Sequence, residues 1–140
     1  MNLKIQHTCS GIDWDYVAAT LKAVGMAYHE ASVHEKAFKN SHTVVFVFDD
    51  ATLVGFGRAI SDGAYQAAIY DVAVLPEYQG KGIGRTIVDT ITSGLPGCNF
   101  ILYAAPGKDK FYEALNFRKM KSGMALFLDA DRMRLKGFTE

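Results

Sequence analysis

The chain has 140 residues, of which 49% are hydrophobic and 21% are charged. This is the composition of one globular domain and excludes a disordered chain. The 15 Lys and Arg residues balance the 15 Asp and Glu residues, so the net charge predicts neither nucleic acid nor a membrane surface as a partner. Cys9 and Cys98 stand far apart in unrelated contexts; we expect free thiols and no disulfide, redox motif or metal site.

The first third of the chain predicts one strand and two helices. Residues 3–6, LKIQ, favour a short strand. Asp13 is placed to cap a helix that ends near Gly25, and its apolar residues recur at helical spacing: Val17, Leu21 and Val24. A second short helix is predicted over residues 32–40, opened by the capping-box pair of Ser32 and Glu35.

The middle of the chain predicts three strands in succession. Residues 42–48, HTVVFVF, are rich in β-branched and aromatic side chains, and residues 53–61 follow after turn residues as a hairpin partner. Residues 65–75, YQAAIYDVAVL, form a third strand that stops at Pro76. A helix then begins at Ile83, with an apolar stripe of Ile83, Ile87, Val88 and Ile91.

The last third predicts a buried strand over residues 98–105 and a short helix over 108–116. Residues 117–128 favour a final strand or hairpin, and the tail 129–140 either frays or docks as a short helix. The whole order indicates a mixed α/β domain with an antiparallel meander, not a strict βαβ alternation.

The chain begins without the basic flank and long apolar core of a secretory signal. No apolar run approaches the length of a membrane span. We therefore expect a cytoplasmic location and no membrane partner.

One glycine-rich segment, PEYQGKGIGR at residues 76–85, lies between an apolar strand and an apolar helix. Unpaired N–H groups at a helix start attract anions, and glycines let a phosphate approach the backbone. By itself this segment fits either a phosphate site or a tight turn. A P-loop is excluded because Gly82 follows Lys81 where Ser or Thr is needed, and a dinucleotide fingerprint is excluded because Arg85 occupies the third glycine position.

The segment does match another pattern. Gln79, Gly82 and Gly84 spell Q-x-x-G-x-G, and the lead-in V-x-P-x-Y is present at residues 74–78. About thirty residues downstream, FYEALNF at residues 111–117 is similar to the family segment F-Y-x-x-L-G-F, except at Asn116, where asparagine tolerates the left-handed backbone expected there. The chain thus resembles the GNAT superfamily of acetyl-CoA-dependent N-acetyltransferases, and within it small stand-alone members and the plant-type serotonin acetyltransferases.

The resemblance implies a single N-acetyltransferase domain over residues 1–140, with 129–140 either part of it or a loosely packed tail. Its fold would be α/β (α+β mixed), with a mostly antiparallel twisted sheet of six to seven strands and about four helices. A splayed strand pair, 67–75 and 98–104, would admit the pantetheine arm of acetyl-CoA. The implied cofactor-binding residues are Val72, Ala73, Val74, Gln79, Gly80, Lys81, Gly82, Ile83, Gly84 and Arg85.

The implied reaction is direct attack of an amine on the thioester through a tetrahedral intermediate. The resemblance makes Tyr112 the proton donor to the departing thiolate, since a phenol keeps its proton at pH 7. Asp71 is the candidate amine anchor or base, because strand alternation puts it on one face with Ile69 and Ala73. His29 and His34 are interpreted as surface residues, Glu77 as solvated, and Cys98 as inert; the aromatic residues of the first helices fit a core or an acceptor pocket: Trp14, Tyr28 and Phe38.

The expected acceptor is a primary amine of a small molecule. Two alternatives stay open at this stage: a protein N-terminal or lysine acetyltransferase, and a non-catalytic acyl-CoA sensor. Strand edges and apolar tail positions are compatible with a homodimer.

Overall fold

The computed structural model describes all 140 residues, which form two compact units, Met1–Leu102 and Tyr103–Glu140. The first unit holds a five-stranded sheet in the order β1-β2-β3-β4-β5. Its strands are β1 (Leu3–Gln6), β2 (Thr43–Asp49), β3 (Thr52–Ser61), β4 (Gln66–Val74) and β5 (Asn99–Ile101). The pairs from β1 to β4 are antiparallel, and β4 pairs with β5 in parallel. The mixed fold and the antiparallel meander are thus confirmed.

Helices cover both faces of this sheet. Helices α1 (Trp14–Ala23) and α2 (Ala31–Lys39) bury Val17, Leu21 and Phe38 in a cluster that includes Phe56 of β3. The next residue, Gly57, points to the opposite face, since side chains alternate along a strand. There it meets Ile87 and Ile91 of helix α3 (Ile83–Ser93).

Several sequence signals produce the expected local structure. The Asp13 carboxylate accepts the backbone N–H of Tyr16 at 3.2 Å and so caps α1. Helix α1 stops before Gly25, whose φ is 78°. The capping box at α2 is wrong, however: the helix begins at Ala31 with Glu30 as its N-cap, so Ser32 lies inside the first turn and makes no capping bond.

The predicted strand count of six to seven is too high, because residues 117–128 form no strand. Strand β5 is also shorter than predicted, with three residues. Met124, Leu126 and Leu128 stay at least 96% exposed. β-propensity alone does not make a strand, since a strand exists only through its pairing with a neighbour.

The second unit holds helices α4 (Asp109–Glu113) and α5 (Ala130–Leu135), which bring the helix count to five. The Asp129 carboxylate caps α5 by accepting the N–H of Arg132, so the tail forms the short helix that was one of its two predicted forms. Tyr103, Phe127 and Phe138 pack edge to face in this unit. No helix of the chain combines the length and the hydropathy that a membrane span requires.

Candidate active site

Strand β4 parts from β5 after a short contact. The two strands are paired only where residues 66–68 face residues 99–101. Residues 71–74 of β4 therefore keep a row of backbone groups on the β5 side without a strand partner. This confirms the predicted splayed pair, and an open edge of this kind accepts an added extended chain.

A β-bulge lies where β4 leaves β5. Phe56 of β3 faces Ala73 and Arg58 faces Tyr70, so the single residue between them on β3 faces two residues of β4. Asp71, one of the two, has a φ of 58°. A non-glycine residue in this region costs about 1–3 kcal/mol and persists only where its surroundings hold it. A bulge bends its strand, and this one lies just beyond Ala68, the last residue of β4 that is paired with β5.

The bulge also breaks the alternation assumed for β4. Ala73 belongs to the apolar cluster beside α1 and α2, and Ile69 lies outside it. The prediction that Asp71 shares one face with both residues is therefore wrong. An extra residue in a strand reverses the facing of everything beyond it.

The Asp71 carboxylate forms an ion pair with Arg58. Arg58 donates from Nε to Oδ2 at 2.7 Å, and the two side chains are only 14% and 21% exposed. Arg58 also donates to the hydroxyl of Ser41 at 3.3 Å. Because the pair is partly buried, removing one partner leaves the other charge poorly solvated, at a cost below the roughly 3–5 kcal/mol of a fully buried pair.

His34 lies in the same region and is not the surface residue that was predicted. It is 3% exposed, and its Nε2 accepts the backbone N–H of His29 at 2.8 Å. Burial lowers the pKa of His34, against a raising contribution from Asp71. The ring is therefore neutral at pH 7, with its Nε2 lone pair engaged, and it is not free to take a proton from an amine at that atom.

The glycine-rich segment forms an uncovered helix start. Gly82 is the N-cap of α3 with φ 83°, and Gly80 has φ 75°. The backbone N–H groups from Gly80 to Arg85 have no acceptor within the protein. A Cβ added at Gly80 or Gly82 would meet no atom within 4 Å. These glycines are thus required by the backbone angle, and they leave the N–H groups open to an anion.

The side chains around this segment differ in their contacts and burial. The Lys81 ammonium lies 5.6 Å from the ring centre of Tyr78, whose hydroxyl donates to Asp49 at 2.8 Å. The Arg85 guanidinium lies 3.5 Å from the Asp89 carboxylate on the exposed face of α3. The Ile83 side chain is buried, so this residue offers a ligand only its backbone.

Gln79 connects this helix start to the open strand edge. Its side-chain amide donates to the carbonyl of Val74 at 3.0 Å. Leu75 donates its N–H to Val54 of β3 at 2.9 Å. Since backbone groups alternate in direction along a strand, the N–H of Val74 faces away from β3, on the open side.

Tyr112 belongs to the second unit, on α4. Its ring packs edge to face on Phe111 and Phe117, at centroid distances of 4.9 and 5.7 Å. Burial raises the pKa of Tyr112 above its ordinary value. Asn116 has a φ of 71°, as expected for the asparagine that replaces the family glycine.

The structure therefore places the predicted cofactor-binding residues in two adjoining stretches of the first unit, the edge of β4 and the start of α3. Sequence reasoning missed Arg58 as the partner of Asp71 and missed the burial of His34. Strand register could have suggested the pairing of β3 with β4. No signal in the sequence marked the bulge that brings Arg58 opposite Asp71.

Comparison with known proteins agrees with this geometry. The chain is 30% identical to GCN5-related N-acetyltransferase 1, chloroplastic, of Arabidopsis thaliana, and 31% identical to serotonin N-acetyltransferase 2, chloroplastic, of Oryza sativa subsp. japonica. Each alignment covers 81% of this chain, and the chain spans about 60% of the length of each relative. A solved structure of a Staphylococcus aureus protein of unknown function superposes with a TM-score of 0.78 at 26% identity, over 89% of this chain and 98% of that one.

The acetyltransferase (GNAT) domain family matches residues 40–119, a stretch that contains the bulged strand, the glycine-rich helix start and Tyr112. The chain belongs to the GNAT family.

Proposed function

We propose that the protein transfers an acetyl group from acetyl-CoA to a primary amine of a small molecule. The observation that carries the proposal is the adjacency of two open backbone surfaces. The edge of β4 at residues 71–74 has no strand partner, and the N–H groups from Gly80 to Arg85 have no acceptor. One suits an extended amide-bearing arm and the other suits a diphosphate.

The residues present fit acetyl-CoA, which as co-substrate supplies the acetyl group as an activated thioester. The amides of its pantetheine arm find strand-like partners at Val72 and Val74. The diphosphate finds N–H donors at the start of α3, with Gly80 and Gly82 leaving the approach clear. Lys81 and Arg85 add positive charge at the exposed rim of the same segment.

The chain's own groups then assist the transfer. The N–H of Val74, on the open side of β4, donates to the thioester carbonyl oxygen and stabilises negative charge there. Tyr112 protonates the departing thiolate. Because burial raises its pKa, the phenol keeps its proton at neutral pH, as a general acid must.

Asp71 stays a prediction as the amine anchor or base. Its carboxylate already accepts a charge-assisted bond from Arg58, and a direct proton transfer to Asp71 would have to weaken that bond. This contact supports a role for Asp71 in holding strand β4.

For the acceptor, the resemblance to a relative named serotonin N-acetyltransferase supports a small amine. The cytoplasmic location stays a prediction, and both plant relatives carry the word chloroplastic in their names. A homodimer stays a prediction as well.

The test is release of free CoA thiol from acetyl-CoA, measured with polyamines, arylalkylamines, amino sugars and peptides, against a blank without amine. We expect amine-dependent release that is greater with a small amine than with any peptide. Release with peptides alone would instead identify a protein acetyltransferase. Binding of acetyl-CoA without release of thiol would identify a sensor. The absence of both binding and release would overturn the proposal.

A further inference from the structure

We propose that Arg58 is a positioning residue of the acetyl-CoA site, because it holds the β4 bulge that opens the strand edge. The inference rests on the proposed function, since it names what keeps that site in shape. Asp71 then has a structural role as well, because its carboxylate is the group through which Arg58 holds the bulge.

The bulge brings a left-handed residue and an ion pair together. Asp71 sits at φ 58°, a left-handed conformation that glycine adopts without strain and that costs asparagine and aspartate less than other residues. Its carboxylate accepts from Arg58 on the neighbouring strand, at 2.7 Å. Arg58 faces Tyr70, the residue just before Asp71. The ion pair therefore bridges the two strands at the point where their register shifts.

The guanidinium of Arg58 is itself held in place. It donates to the hydroxyl of Ser41 at 3.3 Å, and that hydroxyl donates to the carbonyl of Ala37 at 2.8 Å. The guanidinium carbon lies 5.7 Å from the ring centre of Phe38 and 5.2 Å from that of Tyr70. A planar guanidinium that donates to two acceptors and lies over aromatic rings is held in one orientation, which a lysine ammonium would not be.

The bulge packs against helix α3, whose start is the candidate diphosphate site. Gly57 is the β3 residue that faces the bulge. A Cβ at Gly57 would stand 2.8 Å from Ile87 of α3 and 3.3 Å from Val72 of β4. The bulge, the open edge and α3 are thus in close contact, so a shift of the bulge alters the site for acetyl-CoA.

The test uses Arg58→Met, Arg58→Lys, Asp71→Gly and Asp71→Ala in the full chain. Arg58→Met should raise the KM for acetyl-CoA roughly tenfold and leave the KM for the amine near its original value. Arg58→Lys should restore part of the loss. Asp71→Gly should be less damaging than Asp71→Ala, because glycine adopts positive φ without strain and alanine does not.

Two further measurements separate positioning from chemistry and from simple instability. The double variant Arg58→Met with Asp71→Gly should have a lower KM for acetyl-CoA than Arg58→Met alone, because it leaves no partly buried carboxylate without a partner. Backbone chemical shifts of residue 71 in the free protein should move away from positive φ in Asp71→Ala and not in Asp71→Gly. Asp50→Gly is the matched control: Asp50 has φ 51° in the β2–β3 turn, and its replacement should leave both KM values unchanged.

The proposal is overturned if Arg58→Met leaves the KM for acetyl-CoA unchanged, or if Asp71→Gly and Asp71→Ala lose activity equally with an altered pH profile. The second result would make Asp71 a chemical group. If Arg58→Met does not fold, Arg58→Lys and the Asp71 pair decide the matter. A wild-type chain that neither binds acetyl-CoA nor releases thiol contradicts the proposed function, whereas the chemical shifts of residue 71 still test the bulge.

Discussion

Replacement of Gly82 by alanine probes the helix start directly. Gly82 has φ 83°, and an added Cβ would meet no atom within 4 Å. The cost of alanine is therefore backbone strain alone, about 1–2 kcal/mol for an L residue in the left-handed region. The loop can relieve this strain only by rotating the peptide units whose N–H groups face outward.

If that strain appears in binding, 1–2 kcal/mol corresponds to a roughly 5–30-fold rise in the KM for acetyl-CoA. The assay compares acetyl-CoA with S-acetylpantetheine, which carries the thioester and the amide arm but no diphosphate. Gly82→Ala should leave the KM for the truncated donor within about twofold of wild type, because that donor never contacts the helix start.

The matched control is Gly11→Ala. Gly11 has φ 69° and also has open space at the Cβ position, so it carries the same strain away from the segment. It should lower the melting temperature by a few degrees without changing either KM. Equal loss with both donors in Gly82→Ala would refute the diphosphate assignment. Gly82→Asn should be milder, because asparagine tolerates this conformation.

Three further predictions follow from buried groups. Tyr112→Phe should lower turnover roughly 10²–10⁴-fold while acetyl-CoA affinity is retained; unchanged turnover by the thiol assay would remove the phenol from the mechanism. The pKa of His34 is lowered in the folded state, so its contribution to stability is present above the unfolded value of about 6.5 and is lost as pH falls through the folded value. Denaturant melts from pH 8 to 5 should show this loss, and His34→Gln, which keeps an acceptor for the N–H of His29, should reduce it; the same slope in both proteins would argue against His34 as the source. Gly57→Ala should lower the free energy of unfolding by about 1–3 kcal/mol, because the added Cβ would stand 2.8 Å from Ile87. An unchanged urea midpoint would show that α3 shifts to make room without loss of stability.

Local features were predictable because their causes are local. The cap at Asp13 and the left-handed angle at Asn116 depend on residue type and on near neighbours. The capping box at Ser32 failed because the same letters also fit inside a first turn, and the helix began earlier. The strand predicted over 117–128 failed because apolar alternation says nothing about whether a partner strand is available.

By itself, the sequence determined the order of the elements as far as residue 116, the glycine-rich helix start and the two motifs that mark the family. Each of these depends on residues close together in the chain. The tertiary structure alone decided that Arg58 meets Asp71, that β4 bulges there and that His34 is buried. These features arise from the register between strands and from the packing of a helix on a sheet. One extra residue in a strand shifts the register and changes which side chains face the helix, and no local sequence pattern marks it.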